Sequence, residues 1–373
     1  MITRLGDVAT YINGFAFKPS DWSDNGLKII RIQDLTGNSY QANRFNGDYE
    51  SKYEVNTGDV LISWSASLGV YIWNGGKAVL NQHIFKVIFD KVELNKSFFV
   101  YQVQSILANA ASEAHGATMK HLTKPVFDSL PFYLPDIKKQ NEIAEVLDNV
   151  SNLIALRKEQ LAKLDQLVKA RFVEMFGDTV LNPFSWRKEL FGMVCDIRDG
   201  THDSPPYYDV GFPLVTSKNV TGGKIDLTDC SLICEADYNE INKRSKVNMG
   251  DIIMPMIGTV GKPVIVDIEP NFAIKNVSLI KFKPDSKVLN IYIRALLQSD
   301  YFDDAFLSKV RGGTQKFISL GDIRNLGILV PPMELQEQFA AFVKQTDKSK
   351  LTIQASLDKL EAMKKALMQQ YFG

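Results

Sequence analysis

Residues 115–177 of the chain read HGATMKHLT…FYLPDIKKQNEIAEVLD…MFG, and residues 311–373 read RGGTQKFIS…ILVPPMELQEQFAAFVK…YFG. The two stretches stand 196 positions apart throughout, with Gly116 on Gly312, Thr118 on Thr314, Pro135 on Pro331, Gln140 on Gln336 and Gly177 on Gly373. An offset this constant means one structural unit used twice. The repeat continues upstream with small gaps. GDVLISWSASLG at 58–69 aligns with GDIIMPMIGTVG at 250–261, and LGDVATYINGF at 5–15 with FGMVCDIRDGT at 191–201, which sets Gly6 on Gly192 and Gly14 on Gly200. Each copy has a part of about one ordinary domain's size followed by a tail. The expected boundaries are globular parts at 1–137 and 178–332, and tails at 138–177 and 333–373.

With 373 residues, 45% of them apolar and 23% charged, the chain can bury two independent cores as a soluble globular protein. Lys plus Arg and Asp plus Glu are equal at 43 each, so there is no overall basic field, and any polyanion must be met by local patches. The opening MITRLGDVATYI lacks the charged-then-apolar profile of a signal peptide, and no run approaches the length that crosses a bilayer. A cytoplasmic location is expected. Cys195, Cys230 and Cys234 have no His partner nearby, and His83, His115, His121 and His202 are scattered. Zinc sites need four converging ligands in short paired spacings, so the expectation is reduced thiols and no bound metal.

No proline or glycine interrupts residues 140–176, where apolar side chains recur at Ile143, Leu147, Val150, Ile154, Leu161, Leu164, Val168 and Met175. Their spacing alternates four and three once Arg157 and Arg171 are placed on the same track, which is a heptad seam. The second tail keeps the register with Phe339, Val343, Thr346, Ile353, Leu357, Leu360, Leu367 and Tyr371, interrupted by Lys350 and Lys364. Each tail is predicted to be one long helix, entered after Pro135 or Pro331–Pro332; the first is stopped by Gly177. A single amphipathic helix packs most simply on its own domain. Two matched stripes in one chain instead predict an antiparallel coiled coil with pseudo-twofold symmetry.

The globular parts read as mixed α and β. Short runs rich in β-formers, LKIIRI from Leu27, DVLISW from Asp59, HIFKVIF from His83, FPLVTS from Phe212, DIIMPMI from Asp251 and NVSLIKF from Asn276, are bounded by Gly, Asn and Pro. A helix is predicted late in each unit, from Lys96 (KSFFVYQVQSILANAAS) and from Asn290 (NIYIRALLQSDYFDDAFLS). The fold class expected is α+β. Among the loops, HGATMKHLT and RGGTQKFIS place a hydroxyl and a lysine after a glycine, chemistry that suits a phosphate or a base edge, although the same pattern also makes an ordinary capped turn. Two further loop pairs, WSASLG with MIGTVGK and NGFAFKPSDW with DGTHDSPPYY, differ between the copies. Two readers of different sequences would differ there, and so would drifting surface loops.

The order and duplication of DGTHDSP, TSKNVTGGKIDL, NKRSKVNMGDIIM with IGTVG, RGGTQKFIS and PPMELQEQ, with weaker versions in the first half, resemble the specificity subunits of type I restriction-modification systems over essentially the whole chain. The resemblance implies that each globular part is a target recognition domain and that the helices are the conserved spacers. It implies double-stranded DNA as a partner, read as a split, asymmetric sequence. It also implies methyltransferase (modification) subunits, two of them, and restriction or translocase subunits. S-adenosylmethionine, ATP and Mg are then expected on those partners and not on this chain. A helix of this length spans on the order of 55 Å, longer than one ~34 Å turn of B-form DNA, so it could act as a ruler. DNA contacts are assigned by position in the loops to Thr118, Lys120, His121, Thr314, Gln315 and Lys316, and secondarily to Ser65, Ser67, His202, Lys218, Arg244 and Lys262.

No chemistry of its own is expected of the chain. The nearest approach to a methyltransferase Asn-Pro-Pro-aromatic segment is Asn182-Pro183-Phe184-Ser185, which lacks the second proline and reads as a turn. PDIKK from Pro135 and PDSK from Pro284 lack the downstream acidic-x-Lys partner of a nuclease metal site, and no Walker-type loop is present. The competing readings are a coiled-coil scaffold that binds proteins and a stand-alone DNA-binding regulator.

Overall fold

The uninterrupted seams fold into two helices of 40 residues each, Ile137–Phe176 and Met333–Phe372, in a computed structural model that describes residues 1–37, 43–113, 123–257, 262–300 and 317–373. Asp136 opens the first helix by accepting from the Lys139 amide at 2.8 Å, and Gly177 ends it with φ at 79°. That left-handed turn is one a glycine enters without a Cβ penalty. Burial follows the predicted track. Ile143, Leu147, Val150, Phe339, Val343, Thr346 and Leu357 are buried, and the remaining seam positions, Arg157, Arg171, Lys350 and Lys364 among them, are half-buried.

The chain forms two compact units, one of Met1–Lys158 with Ala355–Gly373, the other of Glu159–Gln354. The cuts fall inside the helices at Lys158 and Gln354, the same 196-residue offset as the sequence repeat. Each unit therefore joins one globular lobe to the start of the helix that follows it and the end of the other helix. In the first unit Lys158 meets Glu361 at 2.8 Å, and Ile143 and Leu147 share a core with Leu367, Met368, Tyr371 and Phe372. In the second, Lys350 meets Asp165 at 2.6 Å, and Phe172 and Phe176 each lie 5.5 Å from the ring of Phe339. Within each unit the two helical segments run antiparallel.

Both lobes are built on the same sheet order. In the first it is Thr10–Asn13, Ile84–Ile88, Val60–Ser63, Gly69–Ile72, and in the second Asp196–Asp199, Val277–Lys281, Ile252–Pro255, Val264–Ile265, antiparallel throughout. A further sheet in each lobe contains a parallel pair, Leu27–Ile30 with Ala78–Leu80 and Phe212–Val215 with Ala273–Ile274. Val60–Ser63 and Ile252–Pro255 are buried at every residue. Side chains alternate along a strand, so Val60 and Ile62 enter the core shared with the long helices while Leu61 enters a second core beneath the other sheet. Ile252 and Met254 divide from Ile253 in the same way.

The repeated Gln140 and Gln336 fasten each lobe to its helix. Gln140 is 1% exposed; its Nε2 donates to the Pro135 carbonyl at 2.9 Å and its Oε1 accepts from the Asn95 amide at 2.9 Å. Gln336 is 0% exposed; its Nε2 donates to the carbonyls of Pro331 (2.8 Å) and Lys287 (3.0 Å), and its Oε1 accepts from the Leu289 amide at 2.8 Å. One carboxamide thus satisfies backbone groups at the helix entry and at the start of the lobe's late helix.

The late helices are Lys96–Glu113 and Asn290–Leu296, and residues 301–308 of the longer helical stretch expected in the second lobe lie outside the described residues. Past Leu296 the Gln298 and Ser299 amides bond three residues back, to Ala295 and Leu296, and the Ser299 hydroxyl also takes the Leu296 carbonyl, which tightens the last turn and closes the helix. Asn182 forms the turn expected of it: φ is 47°, and both amide atoms of its side chain bond the Trp186 backbone.

Replacing Gln140 or Gln336 with Ala should leave buried backbone groups without partners and cost about 1–3 kcal/mol each. Urea unfolding of the two single variants measures this, and a midpoint equal to that of the parent would show that the carboxamides carry no load.

Candidate nucleic-acid interface

At the end of the first strand of each sheet a glycine lets the chain cross onto the neighbouring sheet. A Cβ on Gly14 would sit 2.1 Å from the Asn81 carbonyl oxygen, and one on Gly200 would sit 2.3 Å from that of Ile274. Only glycine permits this approach. The crossing is held by parallel bridges, Phe15 with Asn81 and Thr201 with Lys275. It delivers the residues around each glycine to the loop-bearing end of its lobe.

In the second lobe this places Asp199 beside the end of the helix Glu235–Ser245. Asp199 Oδ1 accepts from the guanidinium of Arg244, and Oδ2 bonds His202 Nε2 at 2.9 Å. His202 Nδ1 lies 2.8 Å from Oδ1 of Asn276, a residue whose φ of 56° turns it toward the loop just before its strand. Both ring nitrogens thus face side-chain oxygens, an arrangement that favours the imidazolium. His202 is raised above the ordinary 6.5, first by its bond to Asn276 and then by that to Asp199. Burial works to raise Asp199, but the bonds from Arg244 and His202 outweigh it and leave the carboxyl below its usual 3.8.

The first lobe has different chemistry at the corresponding place. Asn13 stands where Asp199 does, and its Oδ1 accepts from the Trp64 indole at 3.1 Å. His83 takes the place of Asn276, also with positive φ, at 72°. Phe15, 44% exposed, has its ring 5.0 Å from Phe17 and 5.6 Å from Tyr53. One lobe offers fixed charges, the other an aromatic surface.

Among the candidate contacts, the structure brings His202 and Arg244 together on Asp199. Ser67, Lys218 and Lys262 are exposed. Ser65 is 4% exposed: the Ser67 amide folds back on its carbonyl at 2.7 Å and Ala66 takes φ of 59°, which turns Ser65 inward. His202 is exposed, with its ring nitrogens on Asp199 and Asn276. Thr118, Lys120, His121, Thr314, Gln315 and Lys316 lie outside the described residues. Sequence reasoning missed Asp199, Asn276 and Asn13. The signal available was position: Asp199 and Asn13 each directly precede a glycine of the repeat.

The family model for the type I restriction modification DNA specificity domain matches residues 1–166 and 192–362. The chain belongs to that family. It is 24% identical over 377 residues to the EcoBI type I restriction enzyme specificity subunit of Escherichia coli, covering 91% of this chain and 78% of that protein. The MjaVIII specificity subunit of Methanocaldococcus jannaschii is 25% identical over 390 residues, covering 98% of this chain and 90% of that one. The crystal structure of the type I restriction-modification S subunit from M. genitalium has the same fold, with a TM-score of 0.58 at 14% identity, over 100% of this chain and 96% of that one.

As a type I specificity subunit, the protein recognises DNA sequence within a restriction-modification complex and is not itself catalytic. Among the described residues, no helix is long and apolar enough to cross a membrane, and no group of three or more His, Cys, Asp or Glu side chains is arranged to hold a metal.

The charge cluster has a pH window set by its two shifts. The contribution of His202 is full below 6.5 and is lost as pH rises through its raised value; that of Asp199 is present above 3.8 and is lost as pH falls through its lowered one. By NMR, the His202 imidazole should titrate above 6.5, and both Asn276→Ala and Asp199→Asn should lower its midpoint. A parent midpoint at or below 6.5 would show that the imidazolium is not the held form.

Proposed function

We propose that each lobe of this specificity subunit reads one half of a split, asymmetric DNA sequence and that the length of the paired helices sets the gap between the halves. The observation that carries this reading is the recurrence of one lobe plan with unlike chemistry at the same crossing: Asn13, Trp64 and Phe15 in the first, Asp199, His202 and Arg244 in the second. Identical lobes would read a symmetric sequence. The two loop sets share neither charge nor shape, so the halves they select differ.

The partners in this reading are two modification subunits, which carry S-adenosylmethionine and methylate adenine, and restriction subunits, which use ATP and Mg to translocate and cut. The complex works in the cytoplasm, where the chromosome is. With 43 cationic and 43 anionic side chains the chain has no general attraction for a polyanion, so affinity rests on local contacts and on the complex as a whole. The lysines of the repeated Gly-x-Thr loops, Lys120 and Lys316, are assigned to the phosphate backbone on their sequence position.

Two predictions test the reading. Footprinting should give two separate protected tracts, and a single continuous tract would contradict two readers. Inserting one heptad between Lys158 and Glu159 and another between Gln354 and Ala355 keeps each seam in phase and lengthens the helices by about 10 Å. The preferred gap should then grow by about three base pairs at ~3.4 Å each, as read from the methylated motif. An unchanged gap would remove the helices from that role.

A further inference from the structure

Among the described candidate contacts, Arg244 is held by hydrogen bonds at both ends. Its guanidinium donates to Asp199 Oδ1, and its carbonyl accepts from Arg198 Nη1 at 2.9 Å. Arg198 is itself forked onto Asp196 Oδ2 through Nε at 3.0 Å and Nη2 at 2.6 Å. The Asp199 side chain is 11% exposed and is held on its other oxygen by His202, so the carboxylate has little freedom to move. The Arg244 side chain is nevertheless 64% exposed.

A guanidinium carries five N–H donors in one plane. With one nitrogen tied to a fixed carboxylate, the plane is oriented before any ligand arrives, and the remaining donors point outward as a fork. A phosphate can also take the fork, but its oxygens are alike at every base pair, so the orientation carries sequence information only on a base edge. A base edge needs two donors at a set spacing, and the edge that matches them is guanine, with O6 and N7 side by side in the major groove. A carboxylate held in a largely buried position beside an exposed arginine carries a desolvation cost, which the orientation it imposes offsets where geometry matters more than charge.

We propose that Arg244 reads a guanine in the half-site of the second lobe and that Asp199 is its positioning residue, an inference that rests on the two-reader function above. The first lobe lacks this device. Asn13 replaces the carboxylate and is engaged by Trp64, and the 3-10 turn Ser51–Tyr53 is found where the second lobe has the helix that carries Arg244. Among the described residues this carboxylate-held arginine belongs to the second lobe, so the guanine preference that depends on it falls in one half of the recognised sequence.

The test is selection of DNA from a library randomised in both half-sites, with the full chain in its modification complex, comparing the parent with Arg244→Ala, Arg244→Lys and Asp199→Asn. The parent should select a split motif with a G·C pair at one position of one half. Arg244→Ala should lose that preference by roughly ten- to a hundred-fold, since one bidentate pair supplies about 1–3 kcal/mol of discrimination. Arg244→Lys, whose ammonium can also donate to O6 and N7 but lacks the planar fork, should keep it in part. Arg244→Lys should keep the parent's salt dependence, and the other half-site should be selected as before by every variant. Asp199→Asn should weaken the same preference and no other, which a general loss of folding would not do. Retained guanine preference in Arg244→Ala, or an equal loss at all positions in that variant, would overturn the assignment and make Arg244 a phosphate contact. Failure of the parent to select any split motif would instead overturn the two-reader function.

Discussion

A buried carboxamide at the entry of each long helix is the joint on which this molecule depends. Gln140 and Gln336 each bond the backbone on both sides of the junction between lobe and helix, and each is shut away from water. A buried amide with partners on both sides leaves its neighbours only one satisfied arrangement. The helix therefore leaves its lobe at a set angle.

The far end of each helix is held by aromatic packing. Phe176 enters the second unit's core against Tyr292, with ring centroids 4.9 Å apart, and Phe372 lies 5.5 Å from Phe98 in the first. These pairs correspond in the repeat, Phe176 to Phe372 at 196 residues and Phe98 to Tyr292 at 194. Each lobe is thus closed by the end of the helix that belongs to the other repeat. Neither repeat by itself supplies every wall of its core, so the two copies are expected to stand or fall together.

On this common frame the recognition loops are free to diverge. The glycine crossing at Gly14 and Gly200 is dictated by a carbonyl oxygen that leaves no room for a Cβ. What flanks it is unconstrained by the core. One lobe uses Asn13 with Trp64 and an exposed Phe15, the other a carboxylate with an imidazolium and a guanidinium. A frame that stays fixed while its loops change chemistry is what a family of DNA readers with different targets requires.

Much of the architecture was legible in the residues. The constant offset gave the duplication, the heptad seam gave both helices and the face each would bury, and short runs rich in β-formers gave the strands from Leu27, Val60, Ile84, Phe212, Ile252 and Val277. These are local signals, because helix and strand periodicity are written into neighbouring side chains. The recurrence of Gln140 and Gln336 was visible too, but not what they hold. Asp199, Arg244 and Asn276 are separated by 45 and 32 positions in the chain, so no spacing rule links them. Sequence alone determined the duplicated plan and its helices. Only the tertiary structure decided that Ser65 turns inward and that Asp199 bonds both His202 and Arg244, since each depends on contacts that local periodicity does not encode.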